Sequence, residues 1–148
     1  MILLKDQGNF VLELTSIGTQ DAGVKDIGML PFGAFLVGIV AKLGTAGVTG
    51  SQVSDVHSIS ASGTGTTIFS NAAKITYTTT VDGTVNSADV AAPIFYAAGT
   101  LFTLEVDSVH SGTAAVNQKV LLVFQRASAR PALLINSVAN LAAVAGER

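Results

Sequence analysis

The residues best equipped for chemistry are the two histidines, each with an aspartate and serines beside it: residues 54–58 read SDVHS and residues 106–111 read VDSVHS. Ser, His and Asp are the members of a hydrolytic triad, and His with carboxylates can ligate zinc. A triad needs its serine exposed, commonly on a sharp turn, beside an oxyanion hole, and the sequence contains no G-x-S-x-G element. A zinc site needs three or four converging ligands. On strands, Asp55 and His57 share a face because they sit at alternate positions, whereas the wider spacing of Asp107 and His110 puts them on opposite faces. The two stretches are therefore not copies of one site. Polar side chains on strand faces account for both, and His57 and His110 are expected to be replaceable with only small local losses.

Two further patterns resolve the same way. Glu105 and Asp107 lie on one face of LFTLEVDSV, a spacing that suits paired acid and base work, but polar–apolar alternation produces it without any function. The glycine-rich GTAGVTGS at residues 44–51 lacks the Lys of a phosphate loop and leads toward a strand, whereas phosphate loops open a helix whose N-terminus faces the anion. No catalytic residue, metal ligand or cofactor is expected, and the chain is read as a non-enzyme.

The elements that carry these residues are strands. FVLELTSI alternates Phe10, Leu12 and Leu14 with Val11, Glu13 and Thr15. AFLVGIVAKL (residues 34–43) and KVLLVFQ (residues 119–125) are apolar on both faces, the mark of strands covered on each side. QVSDVHSI, TTIF and LFTLEVDSV add more, the last with Phe102, Leu104 and Val106 as its apolar row. KITYTTTVDGTV sets Asp82-Gly83 between two β-prone runs, which predicts a type I′ hairpin turn. Seven or eight short strands with Gly/Ser/Thr turns predict an all-β fold, an antiparallel β-sandwich of jelly-roll or Greek-key type.

Residues 1–126 form that domain. Residues 127–148 read as an apolar tail, helix or extended arm, with Pro131 and Gly146 at helix-start and helix-stop positions and Leu134, Val138, Leu141 and Ala145 at helical spacing. It is expected to serve assembly more than the domain's own fold.

Composition restricts the partners. The chain has 148 residues, a net charge of −2, no Cys and no Trp. Without clustered cations, neither nucleic acid nor an anionic membrane is an expected partner. Charged residues are only 12% of the chain, against about 25% for soluble domains, and mean hydropathy is +0.54. The uncharged stretches 27–41, 90–104 and 131–146 are each shorter than the roughly 20 residues of a spanning helix. MILLKDQGNF lacks a basic region, a sustained apolar run and a cleavage site, so export is not expected. A subunit that buries surface against neighbouring copies explains the composition, with a trimer favoured. The candidate interface residues are Phe35, Val37, Ile39, Leu121, Val123, Leu134, Val138 and Leu141.

The order of segments SQVSDVHSISASGTGTTIFSNAAKITYT and FYAAGTLFTLEVDSVHSGTAAVNQKVLLVFQR resembles small β-sandwich virion proteins of tailed bacteriophages. The matching pieces are Thr66–Phe69, Gly99–Val106, Asp107–Thr113 and Val120–Phe124, within residues 34–126. Ala98-Gly99-Thr100 lacks an acidic residue usual after the Gly, and His110 stands where Gly is usual. The resemblance implies a capsid decoration or cement protein on the virion surface, present in the host cytoplasm during assembly, with the major capsid protein as partner. The alternative is a carbohydrate- or receptor-binding module of a tail fibre, for which Tyr77 and Tyr96 are the tyrosines available.

Overall fold

The computed structural model describes residues 8–60, 62–70, 72–85 and 94–127. They form ten strands: β1 (Asn9–Thr19), β2 (Gly23–Met29), β3 (Ala34–Thr45), β4 (Gln52–Ile59), β5 (Gly65–Thr67), β6 (Ile75–Tyr77), β7 (Thr84–Val85), β8 (Ile94–Tyr96), β9 (Leu101–Ser108) and β10 (Val116–Arg126). The first sheet runs β1-β10-β3-β8; the second runs β2-β9-β4-β6-β7, with β5 also paired to β4. The described pairings are antiparallel. Leaving aside the short β5 and β7, this is two four-stranded sheets with the strand order of a jelly roll. The tail assigned to residues 127–148 lies, apart from Ala127, outside the described residues.

Alternation builds the core. Leu14, Leu36, Leu122 and Phe124 point inward from the first sheet and meet Val56, Ile75, Phe102 and Leu104 of the second, all fully buried. Phe102 and Phe124 join the sheets at 5.5 Å between ring centroids, with Tyr96 edge-on to Phe102 at 4.9 Å. Each such side chain contributes about 1.5–3 kcal/mol of burial.

β2 carries no alternating apolar row in sequence because its less exposed positions are Gly23, Lys25, Asp26 and Gly28, and a register shift between Val24 and Asp26 breaks the phase. A Cβ on Gly28 would lie 3.0–3.1 Å from Leu12 and Leu14, so β1 lies close against this strand. The apolar Val24, Ile27 and Met29 point outward instead, each 59% exposed.

The type I′ turn expected at Asp82-Gly83 is not formed. β6 and β7 pair through Ile75↔Val85 and Thr76↔Thr84, so residues 78–83 make a longer loop, and neither Asp82 nor Gly83 has positive φ. The loop instead reaches the other sheet: Leu43 N donates to Val81 O at 2.8 Å and Gly83 N to Ala41 O at 3.0 Å. Glycine is required at position 83 by proximity, since a Cβ would stand 2.7 Å from Tyr77 Cε1 and 3.0 Å from Ala41 Cβ.

Candidate functional site

The aspartates and histidines flagged by sequence separate into two places. Asp55↔Glu105 and His57↔Thr103 are cross-strand pairs of β4 and β9, so Asp55, His57 and Glu105 share the outer face of the second sheet. Asp55 Oδ1 accepts from the Val56 amide at 2.7 Å and from the Thr67 hydroxyl at 2.5 Å. Its Oδ2 lies 2.7 Å from Lys74 Nζ, and the same ammonium lies 2.7 Å from Asp107 Oδ2. His57 Nε2 is 3.6 Å from Asp55, and its Nδ1 is 3.2 Å from Glu105.

Lys74 is the member that strand patterning does not reveal. It occupies a left-handed position, φ 45°, just before β6, and is placed there by the long connection after β5. Its ammonium is held above the ordinary Lys range by hydrogen bonds to Asp107 and then Asp55. Asp55, 1% exposed in its side chain, is thus a buried carboxylate with its lone pairs filled. His57 turns its two ring nitrogens to different carboxylates, so these groups do not converge on one point. Among the described residues no cluster of three His, Asp or Glu side chains is arranged to hold a metal ion. The arrangement ties β4, β9 and the segment before β6 together.

His110 has a different role. It lies in the loop between β9 and β10, 3% exposed, and its Nε2 is hydrogen-bonded to the Thr78 carbonyl. It packs so tightly on Gly47 that a Cβ there would fall 2.2 Å from Nδ1. Around it the two long loops bond to each other, Val48 N to Thr113 O at 2.8 Å and Ser111 N to Thr49 O at 3.0 Å. Between the sheets, Gln118 Nε2 donates to Ser54 Oγ at 2.8 Å and to the Tyr77 hydroxyl at 2.9 Å.

The surface best suited to a partner is the outer face of the first sheet. Its rows read across the strands: Asn9, Gln125, Phe35 and Phe95; then Val11, Val123 and Gly38; then Glu13, Leu121 and Val40. Val11, Val40 and Phe95 are each more than 50% exposed, Val37 is 43% exposed, and Phe35 stacks edge-on to Phe95 at 5.4 Å. At one end this face meets charges that are already paired, Lys119 with Glu13 at 2.8 Å and Lys42 with Asp82 at 2.9 Å. A recess of about 480 Å3 beside them is flanked by these same two lysines and so offers an anion no unpaired cation.

Of the candidate interface residues, Phe35, Val37, Leu121 and Val123 lie on this face. Ile39 does not. A bulge opposite Val123–Phe124 inserts one residue into β3, so that Ile39 pairs with Leu122 and packs against the core. Val40 takes the outward place that simple alternation assigns to Ile39. Leu134, Val138 and Leu141 lie outside the described residues. Val11 and Phe95 were missed because one belongs to the polar-looking row of β1 and the other to a three-residue strand.

Comparison of the chain with protein-family models, curated proteins and solved structures gives no match.

Proposed function

We propose that this protein is a structural assembly subunit, a decoration or cement protein that binds the assembled shell of a bacteriophage-type capsid and stabilises it. The observation that carries the assembly part is the exposed apolar face formed by Val11, Phe35, Val40, Leu121 and Phe95, on which no described element packs. The virion part rests on the sequence resemblance. A jelly roll fits it, since that architecture recurs in capsid proteins, though it also serves lectins and cupins. The polar cluster around Asp55 supports a non-catalytic reading, because its carboxylates and its lysine are bonded to one another.

The carbohydrate-binding reading ranks lower on two residues. Tyr77 is fully buried and Tyr96 packs its ring against Phe102, so neither tyrosine is displayed as a free platform for sugar stacking.

A ligand that binds only the assembled shell stabilises it by mass action, and many copies per shell multiply the effect. The test is co-sedimentation of purified protein with empty shells of the major capsid protein, followed by heating. Saturable co-sedimentation and a raised disruption temperature are expected. No binding at micromolar protein would overturn the virion reading.

A further inference from the structure

We infer that the outer face of the first sheet receives residues 131–146 of a neighbouring copy of this chain. The inference deepens the assembly reading and rests on it for the existence of a partner, but not on the identity of the shell.

The acceptor is the set of outward rows from Phe35 to Val40. Along β3 these span roughly 17 Å at about 3.4 Å per residue. The donor is the sequence after β10. Residues 131–146 carry Leu133, Leu134, Ile135, Val138, Leu141 and Val144 and not one charge. At about 1.5 Å per residue as a helix or about 3.3 Å extended, such a segment is roughly 24 to 50 Å long, enough to cover the face in either conformation. Its uncharged length also matches the face, whose charges among the described residues lie at the Glu13, Lys119, Lys42 and Asp82 end.

The point of departure favours a neighbour over the same chain. Ala127 N donates to Gly33 O at 3.0 Å, so the chain leaves the domain at the Phe35 and Phe95 end of the apolar face. To lie on its own sheet it must reverse within Ser128, Ala129 and Arg130. Arg130 precedes Pro131, which disfavours the helical and tight-turn conformations at that residue. Ser128 and Ala129 then remain for the reversal, and neither is a residue that takes positive φ readily. Continuing outward needs no reversal. Donor and acceptor are different surfaces, so the exchange closes either reciprocally in a two-fold pair or head to tail around a ring such as a trimer.

The absence of cysteine makes the test clean. Full-length Val40→Cys and full-length Leu141→Cys are purified separately, mixed, dissociated and reassociated, and oxidised. A disulfide-linked heterodimer on a non-reducing gel is expected. In the double variant Val40→Cys/Leu141→Cys, linked species of two or more chains are expected to dominate. A monomer-mass internal disulfide there would overturn the inference in favour of docking on the same chain. No cross-link in either experiment would overturn it outright.

A second arm uses sedimentation velocity on the full chain. Val11→Asp/Val40→Asp and Leu134→Asp/Val138→Asp/Leu141→Asp should each weaken self-association at least tenfold and leave the β-sheet circular dichroism unchanged. Unaltered association in either variant, or a monomeric wild-type chain at micromolar concentration, would refute it. Shell binding is scored separately: cross-links without shell binding sink the virion reading and leave this inference standing.

Discussion

Lys74 Nζ stands 2.7 Å from the Asp55 carboxylate, and that carboxylate is 1% exposed. A buried charge left without its counterion is far more costly than the intact pair is favourable. Lys74→Met should therefore destabilise the fold by about 2–4 kcal/mol, moderated by the Thr67 and Val56 hydrogen bonds that Asp55 keeps. In urea denaturation, Asp55→Asn/Lys74→Met should lose less than the sum of the single changes. A loss below about 0.5 kcal/mol in Lys74→Met would show that water reaches Asp55 freely.

Stability should decline at alkaline pH. Lys74 is held above its ordinary value of 10.5 by Asp107 and Asp55, and burial pushes the Tyr77 phenol above its ordinary 10.0. Below about pH 10 both groups are protonated in both states, so their contribution is complete. Above it the unfolded chain gives up these protons first, and each such group removes up to about 1.4 kcal/mol per pH unit. Tyr77→Phe should lower neutral-pH stability by about 1 kcal/mol through the lost Gln118 bond, and flatten the alkaline slope. An unchanged slope would mean that the phenol does not titrate with unfolding.

The two histidines should behave differently. His57 is 27% exposed in its side chain and lies at the rim of its cluster, so His57→Ala should cost less than about 1 kcal/mol. His110→Ala removes a buried ring and the partner of the Thr78 carbonyl, and should cost about 2–3 kcal/mol. Thermal melts of the two variants side by side decide it. Equal losses would contradict the buried position of His110, which sequence reading alone treats as a replaceable loop residue.

Gly83→Ala should destabilise by about 1–3 kcal/mol, because its methyl group would overlap the Tyr77 ring and Ala41. Chemical denaturation measures it. A stabilising effect, as expected if only the unfolded chain mattered, would place the 78–83 loop elsewhere.

Sequence patterning was sufficient wherever an element alternates and faces the core once. Phe102, Leu104 and Val106 against Thr103, Glu105 and Asp107 is such a case, and β9 carries those rows as read. Patterning failed where a neighbour's proximity decides the residue. Gly28 and Gly83 look like turn or breaker signals, yet one lies within a strand against β1 and the other lies under Tyr77. It also failed for Lys74, since only a tertiary connection can bring a residue before β6 against Asp55 and Asp107. The apolar face was legible in outline, because strands apolar on both sides announce a second contact. Its exact membership was not.

The extra residue in β3 divides that strand into two segments of opposite phase. A saturation-substitution scan of residues 34–43 would show intolerance at Ala34 and Leu36, then at Ile39, Ala41 and Leu43, with a jump of three between the two series. Deleting Gly38 would remove the jump. Every remaining residue would keep the face it holds now, with Leu36 and Ile39 two places apart on the core side and Val37 and Val40 two places apart on the outer side, so the insertion bends the strand without deciding which side chains face outward.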